Sequence, residues 1–403
     1  MNAPENKSGP ANPMTTRFGM GTDMVSTESN RSPEWFEQER EKVFKKSWLP
    51  AGTAKEIPNP GDYMVKDFTV LNCSLIFVRG ADDIVRGFHN ACPHRGNKVA
   101  EGSGNTKGFA CGFHGWTFNT EGSLVFVPDE EQFFNFDKAD FCLKPVHVDV
   151  WEEFIFFNPE EHPSESLIEW VAEIGEGLHG YPFDEMECIG CWRAEVDANW
   201  KVVLDAFQEG YHVAFVHNLS APDAFTDQDN PYCHLFGVNL YQRNRQMSVY
   251  APAEREPSPT EALAFKFGAT VTQGAAAGIA DLPKGVNPDK SPKWGFDIDV
   301  VFPNFRLLPG QGWYAVDTFW PVAIDKSVYE YRLYMPKATN VGQKLSQEFT
   351  RALLRDLLRE DLSTVEAVQS AIMSGVMPEI VLSDMEVGVR HSYKVLEEIV
   401  KGP

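Results

Sequence analysis

Two short cysteine–histidine pairs between Cys92 and His114 restrict this chain to a small set of possible folds. The first pair is Cys92-Pro-His94 and the second is Cys111-Gly-Phe-His114, with sixteen residues between His94 and Cys111. Two thiolates can hold one iron of a [2Fe–2S] cluster while two neutral imidazoles hold the other iron. The same four side chains also suit a tetrahedral zinc ion, and the spacing alone does not reject zinc.

The residues around these pairs favour the iron–sulfur cluster. Arg95-Gly96, Gly112 and Gly115-Trp116 predict tight turns, which expose backbone N–H groups to the sulfur atoms of a cluster. The whole string resembles the Rieske domains of ring-hydroxylating oxygenases. Respiratory Rieske proteins resemble it at the ligands but carry two further cysteines in these loops, where this chain has Gly96-Asn97 and Gly112-Phe113. A respiratory protein also needs a membrane anchor, and the chain contains no run of about 18 apolar residues.

Charge and cysteine content narrow the function further. The net charge of −22 argues against a nucleic-acid partner and against an anionic membrane surface, because both attract basic proteins. Seven cysteines in 403 residues, two of them assigned as cluster ligands, do not indicate a disulfide framework. The segment from Met1 to Pro33 lacks a signal-peptide pattern and is expected to be a loosely ordered arm. We therefore expect a cytoplasmic enzyme.

The order of sequence patterns predicts an α+β fold with an inserted all-β domain. A helix is expected over 34–46, and short β-branched and aromatic runs broken by Gly, Pro and Asn follow up to about Asn158. The run from Phe296 to Pro336 alternates apolar and polar residues, as adjacent antiparallel strands do. We expect residues 1–47 to be an arm and helix of the catalytic domain, 48–160 to be the Rieske domain, and 161–403 to be a helix-grip-like catalytic domain.

A second group of chemically informative residues lies between Asn199 and His217. His212 and His217 are five residues apart, and Glu209 precedes the first by three. Five residues turn an ideal helix by about 140°, so both rings can face one centre only if the helix is distorted or ends there. Because they follow a Rieske motif, the two histidines resemble the mononuclear-iron ligands of Rieske non-haem iron oxygenases. The segment Asn199-Trp-Lys resembles the one that precedes these histidines in that family.

A third iron ligand is predicted in the helical pattern from Leu345 to Ile372. Such iron sites use two histidines and one carboxylate on one face of the metal. Asp361 lies in the middle of an apolar stripe, whereas Asp356 and Glu366 point about 140° away and Glu360 lies off its centre. A carboxylate on a buried face is costly unless it is paired or binds a metal, so burial in a charge pair is the alternative. The stripe consists of Leu354, Leu358, Val365, Val368 and Ile372.

The resemblance implies a terminal oxygenase component of a multicomponent system. It implies a [2Fe–2S] cluster on Cys92, His94, Cys111 and His114, and Fe(II) at the His–His–Asp triad. Electrons would come from NAD(P)H through a separate reductase or ferredoxin, and the reaction would be mono- or dioxygenation of an aromatic or other small organic substrate by O2. A homotrimer is implied, with or without a small beta subunit, in which Glu209 links a neighbouring copy's cluster histidine to His212.

Other functions remain open from the residues alone. The chain could be an oxidative demethylase of the same family, or an electron-transfer iron–sulfur protein with an inactive mononuclear site. Ala206 stands where many relatives have an asparagine close to the iron, which leaves the substrate and the position of attack open. The substrate pocket is expected to include Phe207, Phe215 and the loop from Gly268 to Pro283.

Overall fold

The computed structural model describes residues 12–252, 254–274 and 282–402. The chain forms two compact units, and each consists of residues that pack mainly among themselves. One unit is Arg40–Ala172, and the other combines Met1–Glu39 with Glu173–Pro403. The inner unit is therefore an insertion in the outer one, while the domain limits at 47/48 and 160/161 stay predictions.

The described residues contain eight α-helices and four β-sheets. The helices are α1 Met14–Arg17, α2 Pro33–Lys42, α3 Leu167–Leu178, α4 Trp200–Asp205, α5 Val213–Val216, α6 Pro259–Phe267, α7 Val341–Met373 and α8 Val387–Lys401. The strands are β1 Val25–Ser26, β2 Leu49–Thr53, β3 Asp62–Phe68, β4 Cys73–Arg79, β5 Val85–His89, β6 Ser103–Asn105, β7 Gly108–Ala110, β8 Thr117–Asn119, β9 Leu124–Phe126, β10 Pro145–Trp151, β11 Phe154–Asn158, β12 Met186–Val196, β13 Phe236–Leu240, β14 Arg245–Tyr250, β15 Trp294–Val301, β16 Phe305–Gly310, β17 Trp313–Ala323, β18 Lys326–Pro336 and β19 Glu379–Ile380.

The inner unit is built from antiparallel strands. Its larger sheet has the order β2-β11-β10-β5-β4-β3-β6, and β7-β8-β9 form a three-stranded sheet. The apolar runs Leu75–Val78 and Phe154–Phe157 are buried on both faces of their strands. Continuous burial explains why these strands are hydrophobic without interruption rather than alternating. The loops between β5 and β6 and between β7 and β8 carry the two cysteine–histidine pairs.

The outer unit is organised around a seven-stranded sheet and the long helix α7. The sheet order is β12-β18-β17-β16-β15-β14-β13, and every neighbouring pair is antiparallel. Tyr314 on β17 is paired with Tyr334 on β18, and their rings stack with centroids 4.5 Å apart. Helix α7, which carries Asp361, packs against β12 and α4, and α4 packs against β17 and β18. The predicted α+β fold is confirmed.

Two local expectations need correction. The predicted helix at 34–46 ends as an α-helix at Lys42, and Phe44–Lys46 forms a separate 3-10 turn. Residues 12–33 are not a loose arm, because their polar groups bond to the segment before α8. The backbone N–H of Thr15 donates to Asp384 at 2.9 Å, and the N–H of Thr27 donates to the carbonyl of Pro378. The first eleven residues of that predicted arm lie outside the described residues.

Among residues 12–252, 254–274 and 282–402, every helix is too short or too polar to span a lipid bilayer.

Candidate metal centres

The helix that leads into the histidine pair is fixed at its start by Asn199. The Asn199 side chain accepts a hydrogen bond from the Lys201 N–H at 3.0 Å, which caps the first turn of α4. Its amide nitrogen also donates to the carbonyl of Ile324, and its backbone N–H donates to Gln369 on α7 at 3.1 Å. One asparagine therefore ties α4 to the strand connection and to the helix that carries Asp361.

Trp200 and Lys201 anchor α4 to α2 through one buried carboxylate. The Lys201 ammonium lies 2.7 Å from Glu39 Oε1, and each of the two side chains is 1% exposed. The indole N–H of Trp200 donates to Glu39 Oε2 at 3.0 Å. Removing one partner would leave a buried charge unpaired, so this pair holds the helix in place more than it adds net stability. Each residue of the Asn-Trp-Lys segment therefore has a structural role.

After α4 the chain makes a tight loop that aims Glu209 and His212 at the site. The guanidinium of Arg306 on β16 donates to the carbonyl of Phe207 and pairs with Asp317 on β17. A Cβ atom at Gly210 would lie 2.4 Å from the carbonyl oxygen of Cys233, so this position has no room for a side chain. The loop is therefore fixed to the sheet on one side and passes close to another backbone segment on the other.

His212 and His217 flank the single helical turn α5. His212 is the residue before the turn and His217 is the residue after it. Their ring centroids are 5.2 Å apart and their planes make an angle of 78°. The five-residue step therefore reaches one centre because α4 has ended and α5 is only four residues long, as the spacing required.

Helix α7 brings Asp361 to both imidazoles. Asp361 Oδ1 lies 3.0 Å from His217 Nε2 and 3.4 Å from His212 Nε2, and donor atoms of all three residues lie within 4.8 Å of one another. Oδ1 is buried and has no hydrogen-bond partner among the described residues. A buried oxygen without a hydrogen-bond partner that faces two imidazole nitrogens fits a shared cation. Two histidines and one carboxylate are the donor set of non-haem Fe(II) sites.

The prediction for the buried stripe of α7 is correct at most positions. Asp361 is buried, together with Leu354, Leu358, Val365 and Ile372. Val368 was predicted on the same stripe but is 43% exposed. Asp356 pairs with Arg355 at the surface, as expected for a residue on the opposite face.

Without a metal, the three groups favour retention of protons on the imidazoles. Burial alone would lower the pKa of His212, but the carboxylates of Asp361 and Glu209 outweigh it and raise the pKa to about 10. Burial also opposes charge on His217, and Asp361 again outweighs it, so the pKa is raised. Burial would raise the pKa of Asp361, but the two imidazoles lower it. A metal ion must therefore displace protons from these imidazoles when it binds.

Each histidine has a second carboxylate on its outer nitrogen. Glu209 contacts Nδ1 of His212 and also accepts the backbone N–H of His212 at 3.2 Å. The Glu209 side chain is only 10% exposed, so it is held in the site and not in solvent. Glu360 Oε2 lies 3.0 Å from Nδ1 of His217. The role of Glu360 was not predicted, because its helical position lies off the buried stripe; its place next to Asp361 in the sequence was the available signal.

A cavity of about 100 Å³ lies beside the triad and is lined mainly by apolar and aromatic side chains. Phe207 lines it, as predicted, whereas Phe215 is 70% exposed and does not. From the predicted loop Gly268–Pro283, Val271 contributes, and residues 275–281 lie outside the described residues. Ala206 lines this cavity and a second one of about 290 Å³, so its small side chain leaves space that an asparagine would partly fill.

In the inner unit, the two ligand loops have the same backbone hydrogen bond. The N–H of Gly96 donates to the carbonyl of Cys92, and the N–H of Gly115 donates to the carbonyl of Cys111. Both glycines have positive φ angles, 80° and 72°. Glycine adopts this conformation without steric cost, which explains its presence at both turns.

The loops present buried sulfurs and more exposed imidazoles. Cys92 and Cys111 are 2% and 3% exposed, and the rings of His94 and His114 lie with centroids 4.6 Å apart. Trp116 stacks on His94 at 4.8 Å. Two buried sulfurs and two more exposed imidazoles suit a cluster in which thiolates hold one iron and imidazoles hold the other.

Backbone N–H groups in the two ligand loops act to lower the pKa values of the cysteine thiols, which agrees with the tight glycine turns expected there. Burial alone would raise the pKa of Cys111, but the N–H groups of Phe113 and His114 lower it. Burial raises the pKa of Cys92, and the N–H of His94 offsets part of that effect. Burial and the neighbouring His114 lower the pKa of His94, which keeps its imidazole neutral and able to bind metal.

Comparison with known proteins gives consistent matches. Residues 183–402 match the family described as ring hydroxylating alpha subunit (catalytic domain), and residues 47–144 match the Rieske [2Fe-2S] domain. The carnitine monooxygenase oxygenase subunit of Acinetobacter pittii is 27% identical over 348 residues, which are 85% of this chain and 83% of that protein. The chloroplastic choline monooxygenase of Spinacia oleracea is 29% identical over 196 residues, 47% of this chain and 44% of that protein.

A solved structure agrees with these matches at the level of the fold. The crystal structure of a quaternary ammonium Rieske monooxygenase in complex with an inhibitor has a TM-score of 0.75 and 22% sequence identity. The similarity covers 93% of this chain and 95% of that chain.

Proposed function

The chain belongs to the family of ring-hydroxylating alpha subunits and carries a Rieske domain, and from this premise we propose that it inserts one oxygen atom into a C–H bond of a small quaternary ammonium compound. The family predicted from the sequence is confirmed, and with it the terminal-oxygenase class. The observation that carries the proposal is the buried Asp361 Oδ1, which faces two imidazole nitrogens beside an apolar cavity.

We assign the cluster to Cys92, His94, Cys111 and His114, and the mononuclear Fe(II) to His212, His217 and Asp361. When bound, these groups supply electron storage and the activation of O2. The chain's own residues hold the donors, exclude water and orient the substrate. The overall reaction uses the substrate, O2, two electrons and two protons, and it yields the hydroxylated product and water.

Aromatic side chains support a cationic substrate. Phe296 lines the cavity between Phe225, at a centroid distance of 5.9 Å, and Trp313, at 5.5 Å. Aromatic faces attract quaternary ammonium groups through their negative potential. The guanidinium of Arg306, which also lines the cavity, is neutralised by Asp317. The names of two relatives, a carnitine and a choline monooxygenase, point to the same substrate class. Of the two possibilities expected from the sequence, an aromatic or another small organic substrate, they favour the second.

Tyr331 gives the cavity one point of polar recognition. Its side chain lines the cavity and is 1% exposed, and its hydroxyl has no hydrogen-bond partner among the described residues. A buried hydroxyl that lacks a partner costs free energy, so a substrate that accepts its hydrogen bond gains affinity. The proposed substrate therefore carries an oxygen acceptor in addition to its alkylated nitrogen.

We propose that electrons reach the site through Glu209 from the cluster of a neighbouring copy, within a homotrimer supplied by an NAD(P)H-dependent reductase. The contact of Glu209 with the outer nitrogen of His212 supports this route. Tyr211, Phe215 and Leu219, close to Glu209 in sequence, are exposed apolar side chains, as expected where another protein surface packs.

A neutral aromatic substrate is the second candidate, because the cavity lining is mostly apolar. Single turnover separates the two and needs no reductase. Chemically reduced protein is mixed with O2 and either choline, carnitine, toluene, or 3,3-dimethylbutan-1-ol, which is the neutral carbon isostere of choline. Hydroxylation of a carbon bonded to the cationic nitrogen releases an aldehyde, a tertiary amine and a proton, so trapped aldehyde identifies the reaction.

We expect aldehyde from a quaternary ammonium compound and little product from the neutral isostere. Replacing Trp313 with leucine should reduce turnover of the cation more than turnover of the isostere. Oxidation of toluene without reaction of either cation would establish the second candidate instead.

A further inference from the structure

Two consecutive carboxylates on α7 meet the two nitrogens of one histidine. Asp361 Oδ1 lies 3.0 Å from Nε2 of His217, and Glu360 Oε2 lies 3.0 Å from Nδ1 of the same ring. Neighbouring residues on a helix point about 100° apart, which lets their side chains reach different edges of a ring packed against the helix. A carboxylate accepts hydrogen bonds and donates none, so Nδ1 of His217 carries the proton.

The other oxygen of Glu360 is also occupied. The hydroxyl of Ser220 donates to Glu360 Oε1 at 2.7 Å. Ser220 lies three residues after His217, and the Glu360 side chain is 18% exposed. Both oxygens of Glu360 are therefore held by the segment that carries His217, and the carboxylate has little freedom to rotate away.

We propose that Glu360, held by Ser220, is the positioning residue that makes His217 a metal ligand. It keeps the proton on Nδ1, so the lone pair of Nε2 points to the triad, and its negative charge makes that lone pair more basic. The inference rests on the assignment of His217 and Asp361 as iron ligands. Glu360 acts through His217 and does not itself line the cavity.

Glu360 differs from Glu209 in the elements that it connects. Glu209 belongs to the same loop as its histidine and also accepts backbone N–H groups of that loop. Glu360 comes from a helix more than a hundred residues away and bonds to His217 and Ser220. It therefore joins the two segments that supply the ligands, and its removal should loosen the metal more than the local fold.

The test is the affinity of the mononuclear site for Fe(II), measured by chelator competition on protein with an intact cluster. Outer hydrogen-bond partners of metal-binding histidines typically contribute about 10–100-fold in affinity. We expect Glu360→Gln to weaken Fe(II) binding by about 10–100-fold, because the amide has no negative charge and can also donate to Nδ1, so it no longer fixes the proton there. Ser220→Ala should weaken binding in the same direction by a smaller factor. The matched control is Glu348→Gln on the same helix, whose carboxylate pairs with Arg351 at the surface, and it should bind iron as the unmodified protein does.

A second readout follows the ligand geometry directly. The electron paramagnetic resonance spectrum of the nitric-oxide adduct of the ferrous site should change shape in Glu360→Gln and stay the same in Glu348→Gln. Fe(II) affinity within about twofold of the unmodified protein in Glu360→Gln would overturn the proposal. If that variant loses its cluster absorption through misfolding, Ser220→Ala decides, and unchanged affinity there overturns the proposal as well. Asp361→Ala distinguishes failure of the ligand assignment from failure of the role proposed for Glu360, because retained iron in that variant would refute the ligand assignment itself.

Discussion

The two metal centres are constructed in opposite ways. The four side chains that we assign to the cluster lie within 23 consecutive residues, from Cys92 to His114, on two loops that close with the same glycine hydrogen bond. The triad combines a short turn that carries His212 and His217 with Asp361, which is 144 residues beyond His217. Local backbone geometry therefore shapes the first site, whereas the second depends on the packing of α7 against α4 and the sheet.

The two sites are therefore vulnerable to different kinds of substitution. Loop N–H groups and turns support the cluster sulfurs, and these features follow from nearby sequence. The triad imidazoles are held by carboxylates from distant or irregular segments, Glu360 and Glu209. Single substitutions should therefore remove one centre and spare the other.

The largest effect is expected for Cys92→Ser. Losing one of two thiolate ligands should abolish the visible absorption and the Rieske electron paramagnetic resonance signal. The mononuclear site should still load with iron, because its ligands lie on other elements. Metal analysis should fall from about three irons per chain to about one, since a cluster holds two. A persistent Rieske signal would refute the cluster assignment.

Asp361→Ala is the reciprocal experiment. With two ligands left, the mononuclear iron should be lost and turnover should fall by more than the roughly 100-fold that outer partners typically contribute. The cluster spectrum should persist. Asp356→Ala is the control on the same helix, because Asp356 pairs with Arg355 at the surface. Normal turnover in Asp361→Ala, or equal losses in both variants, would show that Asp361 is not a ligand.

The same contrast explains what could be predicted from the sequence. The cluster loops were recognisable because their ligands, glycines and spacing are local. Asp361 could be found because a helical period of 3.6 residues places it among buried leucines and valines. Glu360 was missed because its role depends on where His217 and Ser220 pack, which no single helix pattern contains. Phe215 was misplaced for a related reason, because it lies on the separate turn α5 and its ring stacks on Tyr232, which does not line the cavity.

A smaller effect is expected for Glu209, which contacts His212 without belonging to the triad. In Glu209→Ala with saturating Fe(II), both metal centres should remain loaded. Oxidation of the pre-reduced cluster in a single turnover with substrate and O2 should slow by about 10–100-fold, because the hydrogen-bonded link to His212 is missing. Glu209→Gln keeps part of the hydrogen bonding and should give an intermediate rate. An unchanged rate in Glu209→Ala would argue against electron transfer through this residue.

The two metal centres should also differ in how strongly their iron binding depends on pH. The pKa of His212 is raised to about 10 in the metal-free site, so its imidazole carries a proton at neutral pH that Fe(II) must displace. One displaced proton corresponds to a factor of ten in Fe(II) affinity for each pH unit below that pKa. Lowering the pH from about 8 to about 6 should therefore weaken Fe(II) binding by at least about 100-fold. The cluster should be less sensitive, because the pKa of His94 is lowered. Chelator competition across this range measures both, and equal iron loss from the two centres would contradict the expectation.

The smallest effect is expected on the reduction potential of the cluster and not on its assembly. The side-chain amide of Asn97 donates to Cys111 Sγ at 3.7 Å and to the carbonyl of Lys98 at 2.7 Å. A donor to a ligand sulfur stabilises the reduced cluster, which carries one more negative charge, and therefore raises the reduction potential. A hydrogen bond of about 1 kcal/mol corresponds to roughly 40 mV for a one-electron couple. Asn97→Ala should therefore lower the potential by roughly this amount without loss of iron.

The control for this shift is Asn105→Ala in the same unit, because the Asn105 amide bonds to Asp62 and to the carbonyl of Pro60. Voltammetry of both variants should show a lower potential in Asn97→Ala alone. Asn97 lies in the ligand loop itself, whereas the corresponding support at the iron site, Glu360, comes from a separate helix. If both asparagine variants shift the potential equally, the cluster responds to the general polarity of its unit and not to a donor in its own loop. The contrast between a locally built centre and one assembled from distant elements would then not extend to the reduction potential.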